Sequence, residues 1–152
     1  MQNPILIIAV PLVLVMALRF FTTTTALERR VVILGWLIPG AGHLLVGQRK
    51  RGLILGGLVI VTFLAGMFLS DFRNISPFDR HPIWAVAHLF GGLVSMLAAF
   101  FTRHLYIEEM NPFYDVGCLY SGVAALLNII VVIDAYDFAH ERSEETAGET
   151  TE

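Results

Sequence analysis

The sequence predicts an all-α integral membrane protein: four transmembrane helices plus a Pro/Gly-broken re-entrant or interfacial hairpin. Three observations predict it. The 152 residues are 56% hydrophobic and only 15% charged, where a soluble domain carries about 25% charge. The apolar residues sit in long blocks, Pro4–Leu18, Gly52–Leu69, Pro82–Phe101 and Val116–Ile133, none holding Asp, Glu, Lys or Arg. The blocks are continuous rather than alternating. That suits helices, whose backbone bonds close within the segment, and not barrel strands. A soluble core helix needs one apolar face, not an apolar circumference. An ordinary soluble enzyme and a disordered chain are therefore excluded. The net charge of −3 offers no phosphate-reading surface, so nucleic acid is not an expected partner.

The first block, Pro4 to Phe21, has two readings. A signal peptide would have Thr24-Thr25-Ala26 as a poor cleavage site. Its opening Met1-Gln2-Asn3 lacks the basic residues of a signal n-region, which favours a retained span. Gly52–Leu69, Pro82–Phe101 and Val116–Tyr136 each approach the roughly 20 residues that cross an apolar core of about 30 Å. Boundary signals agree. Ser70 to Pro77 is a polar connection, Pro82 suits a first helical position, and Asn111-Pro112 precedes the last span. Trp84 and Tyr136 suit the water–lipid interface.

Val31–Val46 is apolar but short, with Pro39-Gly40 at its centre. Proline removes a helix bond and glycine weakens the turn, so the segment either crosses with a strong kink or enters and returns. Charge separates these. With a return, seven of the ten basic residues (Arg19, Arg29, Arg30, Arg49, Lys50, Arg51 and Arg103) share the cytoplasmic side. With a crossing the division is six to four. The positive-inside rule favours the return. That arrangement puts both termini outside; the runner-up has five spans and a cytoplasmic C-terminus. Residues 1–28 form the first span and a Thr-rich linker, and residues 29–140 a membrane-embedded core. Residues 141–152 are an acidic disordered tail, in a region from Asp134 onward that holds seven of the thirteen acids.

Residues 39–52 hold four glycines and a proline. Pro39, Gly40, Gly42, His43, Gly47, Arg49, Lys50, Arg51 and Gly52 form either a structural turn or a lipid-headgroup site. In the first reading His43 and Gln48 supply local hydrogen bonds. In the second the basic residues meet phospholipid. The pattern P-G-x-G-H-x-x-x-G-x-x-x-R-G before an apolar block resembles an uncharacterised family of bacterial multi-pass membrane proteins, distantly similar to the two-transmembrane-helix domain. Tyr120 to Asp137 also resembles that family's closing helix. The resemblance covers about residues 29–140. It implies architecture and no activity.

Within the blocks, Ala85, His88, Gly92, Ser95, Ala99 and Thr102 form one small and polar face. Gly117, Ser121, Ala124, Ala125 and Asn128 form another. Small residues let helices approach, and Ser, Asn or His bond across the contact. These two helices are expected to face each other. His88, Ser95, Ser121 and Asn128 supply the polar contacts, with His88 and Ser95 as partners of Asn128. Gly52, Gly56 and Gly66 also suit close packing. Asp134, Asp137 and His140 could share a metal, but a solvated helix end explains them better. His104, Glu108 and Glu109 read as surface charge beside Arg103. Cys118 reads as a buried small hydrophobe.

No G-x-S-x-G, H-E-x-x-H, P-loop or C-x-x-C occurs. The expected function is a non-enzymatic integral protein of a cytoplasmic (inner) membrane, without cofactor or metal. It is a structural or accessory subunit that packs with itself or with other membrane subunits. The alternative is a small transporter or channel with a polar path near His88, Ser95 and Asn128. A third reading is a lipid-acting protein using His43 and the Arg49-Lys50-Arg51 cluster.

Overall fold

A computed structural model describes residues 19–20, 22–72, 87–88, 90–102 and 112–149. The first apolar block and the loop carrying His104, Glu108 and Glu109 lie outside the described residues. Those that are described form helices and turns. Helix α1 is Ala26–Leu37, α2 Ala41–Leu45, α3 Arg49–Leu69, α4 Gly92–Thr102 and α5 Tyr114–Glu149.

Helix α1 starts on a capping box. Thr25 Oγ1 accepts from the Glu28 amide, and the Glu28 carboxylate accepts from the Thr25 amide at 2.6 Å. It stops because Pro39 drives Ile38 into extended backbone (φ −125°, ψ 110°) and Gly40 then takes φ +83°. The chain doubles back as α2, and Val31 and Gly35 of α1 lie against Gly42. At its other end α2 closes with Gly47 at φ +85° and the Gln48 amide donating to the His43 carbonyl at 2.8 Å.

Helices α3 and α5 run antiparallel in close contact. Arg51 reaches Asp134 near one end. Toward the other, Gly66 packs on Gly117 and Ser121 so tightly that a Cβ on Gly66 would sit 2.5 Å from the Ser121 nitrogen. With 21 and 36 residues, they are roughly 31 and 54 Å long. Helix α3 ends in left-handed Asp71 and Phe72, whose amides cap Phe68 and Met67.

The hairpin α1–α2 lies on α5 at the Asp134 end. Helix α1 descends from Glu28 beside His140 to Trp36 beside Asn128. Helix α2 climbs back through Gly42 beside Ala135 to Val46, which packs with Ala139. The Gly-rich motif is what allows this. Side chains at Gly40 or Gly56 would collide with the backbone of Gly52 or Pro39, so the turn rests directly on α3.

The third apolar block, described from Ala87 onward except for residue 89, also turns. His88 lies against Ser121, Phe90 reaches Asn128, and the helix breaks at Gly92 (φ +58°). Helix α4 then returns, with Val94, Ala98 and Ala99 packed around Phe63, Met67 and Ala124. In place of four crossing helices, two are long and apolar enough to cross a membrane among the described residues. They are Arg49–Leu69 and the Tyr114–Glu145 part of α5. The third block supplies no such helix because it holds a glycine pair at its midpoint and turns there, and the first block lies outside the described residues. The carboxy-terminal part of α5 lies at the same end as Arg51, not at the opposite end as the four-span arrangement requires. Helix α5 also continues through Glu149, so the segment read as a disordered tail is helical that far.

Candidate functional site: polar nodes along α5

Three polar nodes lie along the inner face of α5. The first is at the basic end. His43 is fully buried, and its Nε2–H donates to Asp134 Oδ2 at 2.7 Å. Arg51 donates to the other Asp134 oxygen at 2.8 Å and its guanidinium lies over the Phe138 ring. Asp134 thus joins α2, α3 and α5. Half-exposed Arg51 adds little energy of its own. The buried His43 nitrogen would be costly to leave without an acceptor.

Beyond it, the Glu28 carboxylate is only 2% exposed and accepts from His140 Nδ1 at 2.8 Å. Burial pulls the Glu28 pKa up, but the bonds from His140 and Thr25 outweigh it and hold the group below its ordinary value. Arg142 donates to the Val46 carbonyl at 3.3 Å and so caps α2. Asp137 and His140 are exposed, as a solvated end requires, yet Asp134 and His140 also bond the hairpin. Asp134 and His140 turn to different hairpin residues, and no metal-holding group of three His, Cys, Asp or Glu exists among the described residues.

The second node is Asn128, fully buried about 9 Å along α5 from Asp134. Its amide nitrogen donates to the carbonyls of Trp36 at 3.2 Å and Phe90 at 3.1 Å. The Trp36 carbonyl lies in the last turn of α1, and the Phe90 carbonyl in the turn before α4. The expected partners His88 and Ser95 are not the ones it takes. The chain reversals bring the Trp36 and Phe90 carbonyls closer to hand, and an amide donor is drawn to them.

His88 pairs instead with Ser121 at the third node, Nε2 to Oγ 3.1 Å. Ser121 Oγ also lies within hydrogen-bond reach of the Gly117 carbonyl. Ser95 is buried beside Gly91. Of the two small and polar faces, His88 meets Ser121, while Gly91, outside the predicted face, lies against Ala125 and Gly92 faces α1 instead. Helix α5 also packs tightly on Gly66 and Ser70 of α3 through Gly117 and Ser121.

Of the glycine-motif residues, Pro39, Gly40, Gly42, Gly52 and His43 are buried in the hairpin contact. Their side of the motif is structural. Arg49 and Lys50 are exposed, beside a shallow cup of about 390 Å³ formed by Gly47 to Arg51. Cys118 is buried. Glu28 and Trp36 do not stand out in the sequence as site residues, and Asp134 does so only as a weak metal candidate. The Thr25-x-x-Glu28 spacing was the one available signal, since it marks a capping box.

No curated protein and no solved structure matches this chain. A family model does match, over residues 30–146, the span that holds the glycine-motif hairpin, α3, α4 and nearly all of α5. The chain therefore belongs to a family of unknown function, DUF6677.

Proposed function

We propose that this protein is a non-enzymatic, multi-pass integral protein of a cytoplasmic (inner) membrane, serving as a structural or accessory subunit of a homo-oligomer or a larger membrane complex. One observation carries the membrane reading. Exposed side chains on α5 are apolar at Val116, Leu119, Val123, Leu126, Ile130 and Ile133, and turn charged from Asp137 onward. On α3 the exposed Arg49, Lys50 and Arg51 give way to Leu53, Ile54, Leu58, Val61, Leu64 and Phe68. The two changes fall at one level, where Arg51 meets Asp134, and the belt beyond is about 25 Å tall, close to a bilayer core.

In this frame α3 and the first part of α5 cross, and two re-entrant hairpins enter from opposite faces. Arg29, Arg30, Arg49, Lys50, Arg51 and Arg142 share one end, which the positive-inside rule assigns to the cytoplasm. Arg49 and Lys50 there face lipid headgroups. An accessory role is supported by how the internal polar groups are used. His43, His88, Ser121 and the Asn128 nitrogen all serve contacts that hold the chain together. Purification in gentle detergent tests this: a species well above monomer mass is expected, and a clean monomer in several mild detergents contradicts it.

One observation favours a second reading, a small transporter or channel with a polar path near His88, Ser95 and Asn128. Broken helices meeting inside the apolar band are a recurrent way of building transport sites. Ion flux in liposomes, lost on Asn128→Leu, would support it.

A further inference from the structure

We propose that the shallow cup at the start of α3 holds the phosphodiester headgroup of one anionic phospholipid, with Arg49 and Lys50 as its charged ligands. The site rests on the membrane reading and goes beyond it: one lipid is retained there, where general contact with headgroups requires none. Gly47, Gln48, Arg49, Lys50 and Arg51 line a cup of about 390 Å³. A water's share of the liquid is about 30 Å³, so a phosphodiester fits with room for its solvation. The Arg49 and Lys50 side chains are exposed, and neither takes an ion pair or hydrogen bond among the described residues.

The charges of this stretch are unbalanced. Three successive cations open α3, at the end of a helix whose dipole is positive and favours anions. The first turn holds no acid, and Gln48 gives no side-chain cap. The amides of Lys50 and Arg51, so early in the helix, have no intrahelical acceptor. Only Arg51 is answered within the chain, by Asp134 and the Phe138 ring. Arg49 and Lys50 therefore oppose each other and the helix end, and an anion in the cup offsets both. A phosphodiester carries that charge and accepts hydrogen bonds from both side chains.

The surroundings name the source of that phosphate. Next to the cup the surface turns apolar at once: Leu53 and Ile54 are 68% and 69% exposed. Arg49, Leu53, Gly57 and Val61 follow one another at four-residue spacing, so they share a face of α3. Gly57 has nothing within 4 Å of where a Cβ would stand, which leaves a notch between Leu53 and Val61. A lipid whose headgroup sits in the cup can lay an acyl chain along this row. A soluble phosphate compound or an acidic protein segment would gain nothing from it. Basic clusters at a cytoplasmic membrane surface attract anionic lipid in general; the cup and the apolar row beside it are what select one molecule.

The test is thermal unfolding of the full chain in a neutral detergent at fixed ionic strength, with added phosphatidylglycerol, phosphatidylcholine or glycerol phosphate. The wild type should melt a few degrees higher with phosphatidylglycerol than with phosphatidylcholine, and glycerol phosphate should leave it unmoved. Arg49→Gln and Lys50→Gln should each lose most of that rise, while melting as the wild type does in phosphatidylcholine. Arg30→Gln removes the same charge from the same end, at an exposed position, and should keep the rise. Equal melting in both lipids would overturn the proposal. An equal loss in Arg30→Gln would overturn it too, by marking the attraction as diffuse. A rise with glycerol phosphate would overturn the assignment to lipid. Extraction with alkaline carbonate separates this site from the membrane reading. A chain stripped from membranes refutes both, and a chain that stays there without the lipid-specific rise refutes the site alone.

Discussion

Asn128 on the longest helix donates its side-chain amide to the carbonyl of Trp36, ninety-two positions earlier, at 3.2 Å. The same nitrogen also serves Phe90. One side chain therefore ties the last turn of α1 to the turn at Phe90 that precedes α4. In lipid a carbonyl without a donor costs several kcal/mol, so the breaks and the amide belong to one device.

Replacing Asn128 by Leu keeps the volume and removes the donor. Two buried carbonyls then lose a partner, each worth about 1–3 kcal/mol. A clear drop in melting temperature in detergent is expected. Wild-type stability in that variant would show that the amide is dispensable.

Glycine positions divide sharply. Gly92 has φ +58° and its missing side chain leaves room for the Trp36 carbonyl. Gly92→Ala should be strongly destabilising, since left-handed backbone alone costs about 1–2 kcal/mol before the collision is counted. Gly57 lies mid-helix with nothing near its Cβ position. Gly57→Ala should gain up to about 1 kcal/mol through helix propensity. Parallel melting curves of the two variants check both signs.

At the basic end, Asp134→Ala should cost about 1–3 kcal/mol by leaving the buried His43 nitrogen without an acceptor. Arg51→Ala, which removes a half-exposed partner of the same carboxylate, should cost less than about 1 kcal/mol. Comparable losses from both would contradict the unequal roles assigned here.

Acid should loosen the first hairpin. The Glu28 pKa is held below its ordinary value in the folded chain. Its contribution is therefore present above the unfolded carboxylate pKa, about 4.3, and is lost as pH falls through the folded value. Melting temperature should fall below about pH 4 in the wild type. Glu28→Gln should be less stable near neutrality and show a smaller acid-driven decline. An identical acid profile in both would remove Glu28 as the cause.

The helical class and the return at Pro39-Gly40 were legible because proline and glycine act locally on the backbone. The third block was misread for a related reason. Gly91-Gly92 lies inside an unbroken apolar run, and a glycine pair is as compatible with close packing as with a break. Only the approach to Trp36 and Asn128 decides between them. Asp134 looked solvated because it stands where an apolar block meets an acidic one. Its partner His43 lies on a different hairpin, and no spacing along the chain encodes that contact. Asn128 was recognised as needing a bond, since an amide in an apolar run must find one. Its partners are backbone carbonyls at chain reversals, which no side-chain pattern encodes.

The central claim is that residues 26–45 enter and return, so that the two basic clusters share a face. Single cysteines at Arg30, Lys50 and Phe113, all exposed, in a Cys118→Ala background and intact cells, test it with a membrane-impermeant thiol reagent. Arg30→Cys and Lys50→Cys should both be protected until the membrane is permeabilised, while Phe113→Cys labels from outside. Labelling of positions 30 and 50 from opposite sides would contradict the account.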